Sequence, residues 1–138
     1  MRVLILSIIL LLSSSFLIKE NGKTYKKHYF QNGNMEKEGW LDNGEKNGYW
    51  IYYYENGNKK SEGHYSNNKK IEWWIFYNNK GNKTNEGHYS GKIKNGFHHI
   101  YENGKPKFAG HFKNDIKVGT WVTLNSKGEF IEIIEYGE

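Results

Sequence analysis

Cysteine is absent from this 138-residue chain, which excludes a disulfide framework, a thiolate metal site and a lipid-modified N-terminal cysteine. Proline occurs once, as Pro106, and arginine once, as Arg2, so the basic side chains are 19 lysines set against 15 carboxylates. Nucleic-acid readers lean on the planar arginine fork, whereas dispersed lysines give only weak, salt-sensitive attraction. The charge balance therefore argues against a nucleic-acid partner. Aspartate is confined to Asp42 and Asp115, and the serines lie mostly in the N-terminal segment or in turns, so no nucleophilic triad suggests itself. The glycines are spaced too widely to cradle a phosphate as a phosphate loop does.

What is present is aromatic and glycine-rich. Aromatic residues make up 17% of the chain, and its 16 glycines recur at regular intervals instead of clustering in a linker. That composition belongs to short strands joined by turns. The N-terminus stands apart, because Met1-Arg2 precedes an apolar run from Val3 to Leu12 and then Ser13-Ser14-Ser15-Phe16. One positive charge, an apolar stretch and small residues are the layout of a secretory signal, helical where structured. Residues 1–18 are accordingly read as a signal peptide, with an uncleaved membrane anchor as the alternative. Either reading places residues 19–138 outside the cytoplasm, in a secreted, periplasmic or envelope setting.

Residues 19–138 repeat themselves. One glycine column reads Gly33, Gly57, Gly81, Gly104 and Gly128, and a second reads Gly39, Gly63, Gly87 and Gly110. A third column holds Trp50, Trp74, His98 and Trp121, a fourth Tyr29, Tyr53, Tyr77, Tyr101 and Leu124, and a fifth Leu41, Tyr65, Tyr89, Phe112 and Tyr136. The period is 24 residues, shortened once to 23 by a deletion between Tyr101 and Gly104. A sheet tolerates a deletion most easily in a turn. The units run over about 23–46, 47–70, 71–94, 95–117 and 118–138.

Each unit supplies an aromatic stretch such as Trp50 to Tyr54, a turn at Asn56-Gly57 and a polar stretch to Ser66. Asn-Gly between two such stretches is a strong hairpin signal, since both residues tolerate positive φ. Two strands per unit predict an all-β fold, a single-layer twisted antiparallel meander of about ten strands in five tandem hairpins. Tyr49, Ile51 and Tyr53 share one face of their strand and Trp50 and Tyr52 the other, so both faces are aromatic. Which face is inner depends on whether a bulge falls between Trp50 and Tyr53. The stretches from Tyr25 to Phe30 and from Phe130 to Tyr136 form the sheet edges, the second being the more apolar.

The elements Glu-Gly-x-Tyr, Gly-x-Trp-x-x-Tyr and Asn-Gly on this period resemble the MORN repeat, in particular its bacterial variant. The match spans about Tyr25 to Tyr136 and is strongest at Gly48-Tyr-Trp50, Glu62-Gly-His-Tyr65, Glu86-Gly-His-Tyr89 and Gly119-Thr-Trp121. It departs at Glu72, where glycine is expected, at His98, where tryptophan is expected, and at Ile134 in the second glycine column. The resemblance implies consecutive hairpins that mediate protein or membrane association, usually without catalysis, and it brings no catalytic residues with it. Some bacterial relatives carry an antitoxin label, which sits badly with a secretory signal.

Three constellations invite chemistry. Glu38, Glu62 and Glu86 form a column about 9.5 Å apart, from a strand spacing of about 4.8 Å, and that separation overlaps the window of an inverting glycosidase. Repeat-equivalent carboxylates share one environment and lack the divergent acidities a catalytic pair needs, so they are expected to be surface ion pairs. His64, His88 and His111 stand too far apart by the same arithmetic to share a metal ion, and His98 and His99 point to opposite faces. No metal or other cofactor is expected. The aromatic columns remain, and Tyr52, Tyr54, Trp73, Phe76 and His98 are the candidate partner surface. The expected function is a non-enzymatic scaffold that binds a protein or associates with the envelope, through the N-terminal segment or the lysines. A carbohydrate or cell-wall binding module is the alternative, followed by an antitoxin-like binder.

Overall fold

A computed structural model describes residues 19, 20 and 22–137, so the signal or anchor assigned to residues 1–18 lies outside the described residues. The chain forms one open antiparallel sheet in which every strand pairs with its neighbour in sequence. The strands are β1 (Lys19–Glu20), β2 (Lys23–Tyr29), β3 (Met35–Asp42), β4 (Glu45–Tyr53), β5 (Lys59–Ser66), β6 (Lys69–Tyr77), β7 (Lys83–Ser90), β8 (Ile93–Glu102), β9 (Lys105–Lys113), β10 (Ile116–Leu124) and β11 (Phe130–Tyr136). The last ten are the five hairpins read from the repeat. Among the described residues there is no helix long and apolar enough to cross a membrane.

Two kinds of turn alternate. At Tyr54 to Asn58 the first residue's N–H bonds the carbonyl of the fifth at 2.8 Å, and the loops beginning at Phe30, Asn78 and Asn125 repeat this closure. Only the glycine of the Asn56-Gly57 pair takes positive φ, so this is a three-residue loop with a left-handed glycine, not the two-residue turn that Asn-Gly suggests. Asn56 instead uses its side chain, accepting from the Asn58 N–H at 3.1 Å and donating to the Asn79 carbonyl of the next loop at 2.7 Å. The deletion changes one loop. Between β8 and β9 the turn shrinks to Asn103 and Gly104, both at positive φ, and Glu102 pairs directly with Lys105.

Bulges settle which face is inner. Tyr52 pairs with Ser61 but Tyr53 pairs with Lys59, which leaves Lys60 as an extra residue. A second slip precedes each ring of the third column, where Gly48, Glu72, Gly96 and Gly119 all take positive φ. Glu72, at φ 57°, holds this conformation with a Cβ, which costs on the order of 1–2 kcal/mol relative to glycine. Trp50, Trp74, His98 and Trp121 then lie on one face with exposures of 1%, 0%, 0% and 0%, and this is the inner face.

With no second layer, burial must come from rings lying on the sheet itself. A Cβ placed on Gly39, Gly63, Gly87 or Gly110 would overlap the ring of Trp50, Trp74, His98 or Trp121 respectively. The second glycine column is therefore a set of floors, one beneath each ring of the next strand. Each indole also donates its Nε1–H to a carbonyl ten residues back, Trp50 to Trp40 at 2.8 Å, Trp74 to His64 at 3.0 Å and Trp121 to His111 at 3.1 Å. The fifth column closes the other side edge-on, with Tyr65 to Trp74 at 5.0 Å and Phe112 to Trp121 at 5.0 Å between ring centres. Burying one tryptophan in this way contributes about 5 kcal/mol, for roughly 200 Å² at about 25 cal/mol per Å². Ile134 is permitted in the glycine column because β11 is the last described strand and no later ring lies on it.

Gly63→Ala is expected to lower the unfolding free energy by about 3 kcal/mol, because the methyl group must displace the Trp74 ring. Urea denaturation measures it, and a cost below about 1 kcal/mol would remove the floor role.

Candidate functional site

The two faces carry different chemistry. The inner face holds the ring column described above, here termed the indole face. Residues one position away in each strand point to the opposite side, here termed the carboxylate face. Its second row contains Glu38, Glu62 and Glu86 facing Ile51, Ile75 and His99 across the pairing.

Each of these carboxylates accepts a hydrogen bond from the tyrosine fifteen residues later. Tyr53 donates to Glu38 at 2.7 Å, Tyr77 to Glu62 at 2.7 Å, and Tyr101 to Glu86. A lysine completes the group, Lys59 at 2.7 Å from Glu62 and Lys83 at 2.8 Å from Glu86, with Lys27 at 3.6 Å from Glu38. Glu62 and Glu86 are only 7% and 9% exposed, so they are not the surface ion pairs that the sequence suggests. Burial alone would raise the pKa of Glu62, but the bonds from Lys59 and Tyr77 outweigh it and hold the carboxyl below its ordinary value. The carboxylates and tyrosines thus latch successive hairpins together. The fourth hairpin lacks the latch as a unit: Ala109 stands at the glutamate position, Pro106 at the lysine and Leu124 at the tyrosine. No member of the group is left behind, as expected when an unpaired buried acid is costly.

The five residues proposed from sequence as one partner surface do not come together. Tyr52 and Phe76 lie half-buried on the indole face, packed against Trp50 and Trp74. Tyr54 opens the loop after β4 and donates its hydroxyl to the Tyr77 carbonyl at 2.9 Å. Trp73 is on the carboxylate face, its ring centre 5.1 Å from that of His88. His98 is wholly buried and cannot meet a partner. It replaces tryptophan by copying the indole's bond, with Nε2 2.8 Å from the His88 carbonyl. A carbonyl only accepts, so Nε2 carries the proton and Nδ1, which has no partner, is bare.

Sequence reasoning missed two rows. On the carboxylate face Tyr25 packs edge-on against Trp40, Tyr49 against His64, Trp73 against His88 and Phe97 against His111, with ring centres 5.0 to 5.2 Å apart. These histidines are exposed, and Tyr49 is 40% exposed. On the indole face Lys46, Lys70, Lys94 and Lys117 recur on the same 24, 24 and 23 residue spacing, a column visible in the sequence but hidden among other lysines. Among the described residues no three of His, Asp and Glu are grouped closely enough to hold a metal ion. No protein-family model matches the chain, and comparison with curated proteins finds no match.

Two measurements check these assignments. A double-mutant cycle on Glu62→Ala and Tyr77→Phe is expected to return a coupling of about 1.5–3 kcal/mol above pH 4.5 that disappears as the carboxyl protonates in acid. Coupling that is absent at pH 7 would remove the latch. For His98, burial is the main cause that pushes the imidazole below its ordinary value of 6.5. The unfolded chain then takes up this proton more readily than the folded one. Stability is whole above pH 6.5 and falls as pH drops below it. His98→Trp should abolish that part of the loss in thermal unfolding followed from pH 7.5 to 5, and an unchanged profile would contradict the buried neutral imidazole.

Proposed function

We propose that this chain is a non-catalytic scaffold of MORN-type hairpin repeats that holds a protein partner on its carboxylate face, and that residues 1–18 direct it out of the cytoplasm. The observation that carries the reading is the row of half-exposed ring pairs from Tyr25/Trp40 to Phe97/His111, which crosses eight consecutive strands. Aromatic side chains are enriched where proteins meet, because they bury large area with little loss of side-chain freedom. The tryptophan and glycine columns are occupied with holding the sheet, whereas the ring row, with Tyr49, Trp73 and Phe97 at one place in successive units, keeps exposed area on the opposite face. Export, envelope association and the alternative carbohydrate partner rest on the sequence together with this row.

The test compares three proteins as bait in envelope extracts: wild type, Tyr49→Ala/Trp73→Ala on the ring row, and Lys60→Ala on the other face. A partner retained by Lys60→Ala and reduced at least tenfold by the ring-row variant supports the reading. Identical partner sets for all three would sink it, and retention on peptidoglycan or glycan beads instead would assign the row to a sugar polymer.

A further inference from the structure

The indole face carries a second repeated chemistry, independent of the partner row on the opposite side. Lys46 places its Nζ 5.0 Å from the ring centres of Trp50, Tyr52 and Tyr65. Lys70 stands 4.5 Å from Trp74, 4.7 Å from Phe76 and 5.6 Å from Tyr89. Lys94 lies 4.9 Å from Phe112, and Lys117 lies 4.4 Å from Trp121. Among the described residues none of the four has a carboxylate within ion-pairing distance. The rings beneath them are covered by the protein's own ammonium groups, so this face does not offer bare rings for a sugar to stack on. What it offers is charge: an ammonium carries three N–H donors, and Lys46 gives one of them to the Tyr52 hydroxyl at 2.5 Å.

Between the first two members of the row lies a cavity of about 280 Å³ lined by Lys46, Lys60, Lys70, Tyr52, Ser61 and Tyr65. Its lining brings together three lysines and three hydroxyl-bearing residues and includes no carboxylate. The bulge that settled the inner face also places Lys60 here, as the extra residue between Tyr52 and Tyr53 pairing. Glu36, the acid whose field reaches Lys46, is itself 3.3 Å from Lys37. Burial, with repulsion from Lys37, holds Lys46 below the ordinary lysine value, and burial, with repulsion from Lys46, does the same to Lys70, so a bound anion would relieve both groups. A larger cavity of about 640 Å³ adjoins it through Tyr65 and Lys70 and adds Lys69, Lys92 and Asn68.

We propose that this lysine-lined cavity binds the phosphate groups of a small soluble oligophosphate, with the adjoining cavity extending the track along the row. Phosphate fits better than carboxylate because the donors are point charges and hydroxyls arranged around a volume, not a planar fork, and each tetrahedral phosphate brings several charged oxygens to them. Lysines of neighbouring units are about 9.5 Å apart, two strand spacings, so a chain of linked phosphates rather than a single one spans them.

Isothermal titration of the full chain with sodium tripolyphosphate, orthophosphate and citrate tests the assignment. The expected result is saturable binding of tripolyphosphate, at least tenfold tighter than orthophosphate or citrate, weakening as salt rises. Lys46→Gln/Lys70→Gln should weaken it at least tenfold, whereas Lys23→Gln/Lys127→Gln, with the same loss of charge on exposed lysines, should change it less than twofold. Lys60→Gln keeps the ring stack intact should the first variant fail to fold, and is expected to weaken binding about threefold or more. Absence of saturable binding, equal weakening by the cavity and control variants, or citrate binding as tightly as tripolyphosphate would each overturn the proposal. So would capture by vesicles of phosphatidylcholine and phosphatidic acid that tripolyphosphate does not displace, since that locates phosphate recognition in a lipid surface instead of the cavity.

Discussion

The structure depends on a ring lying flat against a glycine. A single sheet has no opposing layer to bury its side chains, and strand pairing alone leaves both faces wet. Here the buried volume is created within the sheet, by removing the side chain at Gly39, Gly63, Gly87 and Gly110 and laying the next strand's ring in the space. The indole N–H then bonds a backbone carbonyl of the neighbouring strand beside the register slip, so one residue fills the gap and adds a hydrogen bond there. Glycine, bulge and ring are thus one device, and the 24-residue period is the spacing at which it recurs.

Everything else on the two faces follows from this. Because the rings occupy the indole face, the residues between them in each strand are turned to the other side, where Glu62 and Glu86 are latched by Tyr77 and Tyr101. Because the rings are wide, their upper surfaces require cover, and the lysine column supplies it with aliphatic stems and ammonium heads. The departures from the repeat are tolerated where the device still closes. His98 keeps the bond to the preceding carbonyl with a smaller ring, and the fourth hairpin loses its latch only by losing all three members.

The period, the five hairpins, the meander and the place of the deletion were legible in the sequence, because turn residues and columns mark them directly. The faces were not. Whether Trp50 or Tyr53 points inward depends on single extra residues such as Lys60 and Glu72, and one slipped residue exchanges the two faces of a strand. For that reason the sequence pattern puts Tyr52, Tyr54, Trp73, Phe76 and His98 in one surface, although they occupy two faces, a loop and a buried position. The burial of Glu62 and Glu86 was hidden for a related reason, since neighbouring lysines suggest solvent while the covering tyrosines come from the next hairpin.

Hydrogen exchange of the indole N–H protons, followed by NMR on protein labelled at tryptophan, tests the ring-on-glycine account most directly. Trp50, Trp74 and Trp121 donate to carbonyls beneath buried rings, whereas Trp40 and Trp73 have no such bond among the described residues. The account predicts that the first three exchange only when their hairpins open, slower by three orders of magnitude or more for roughly 4 kcal/mol of protection, while Trp40 and Trp73 exchange quickly. Five indoles exchanging at similar fast rates in the folded protein would contradict it.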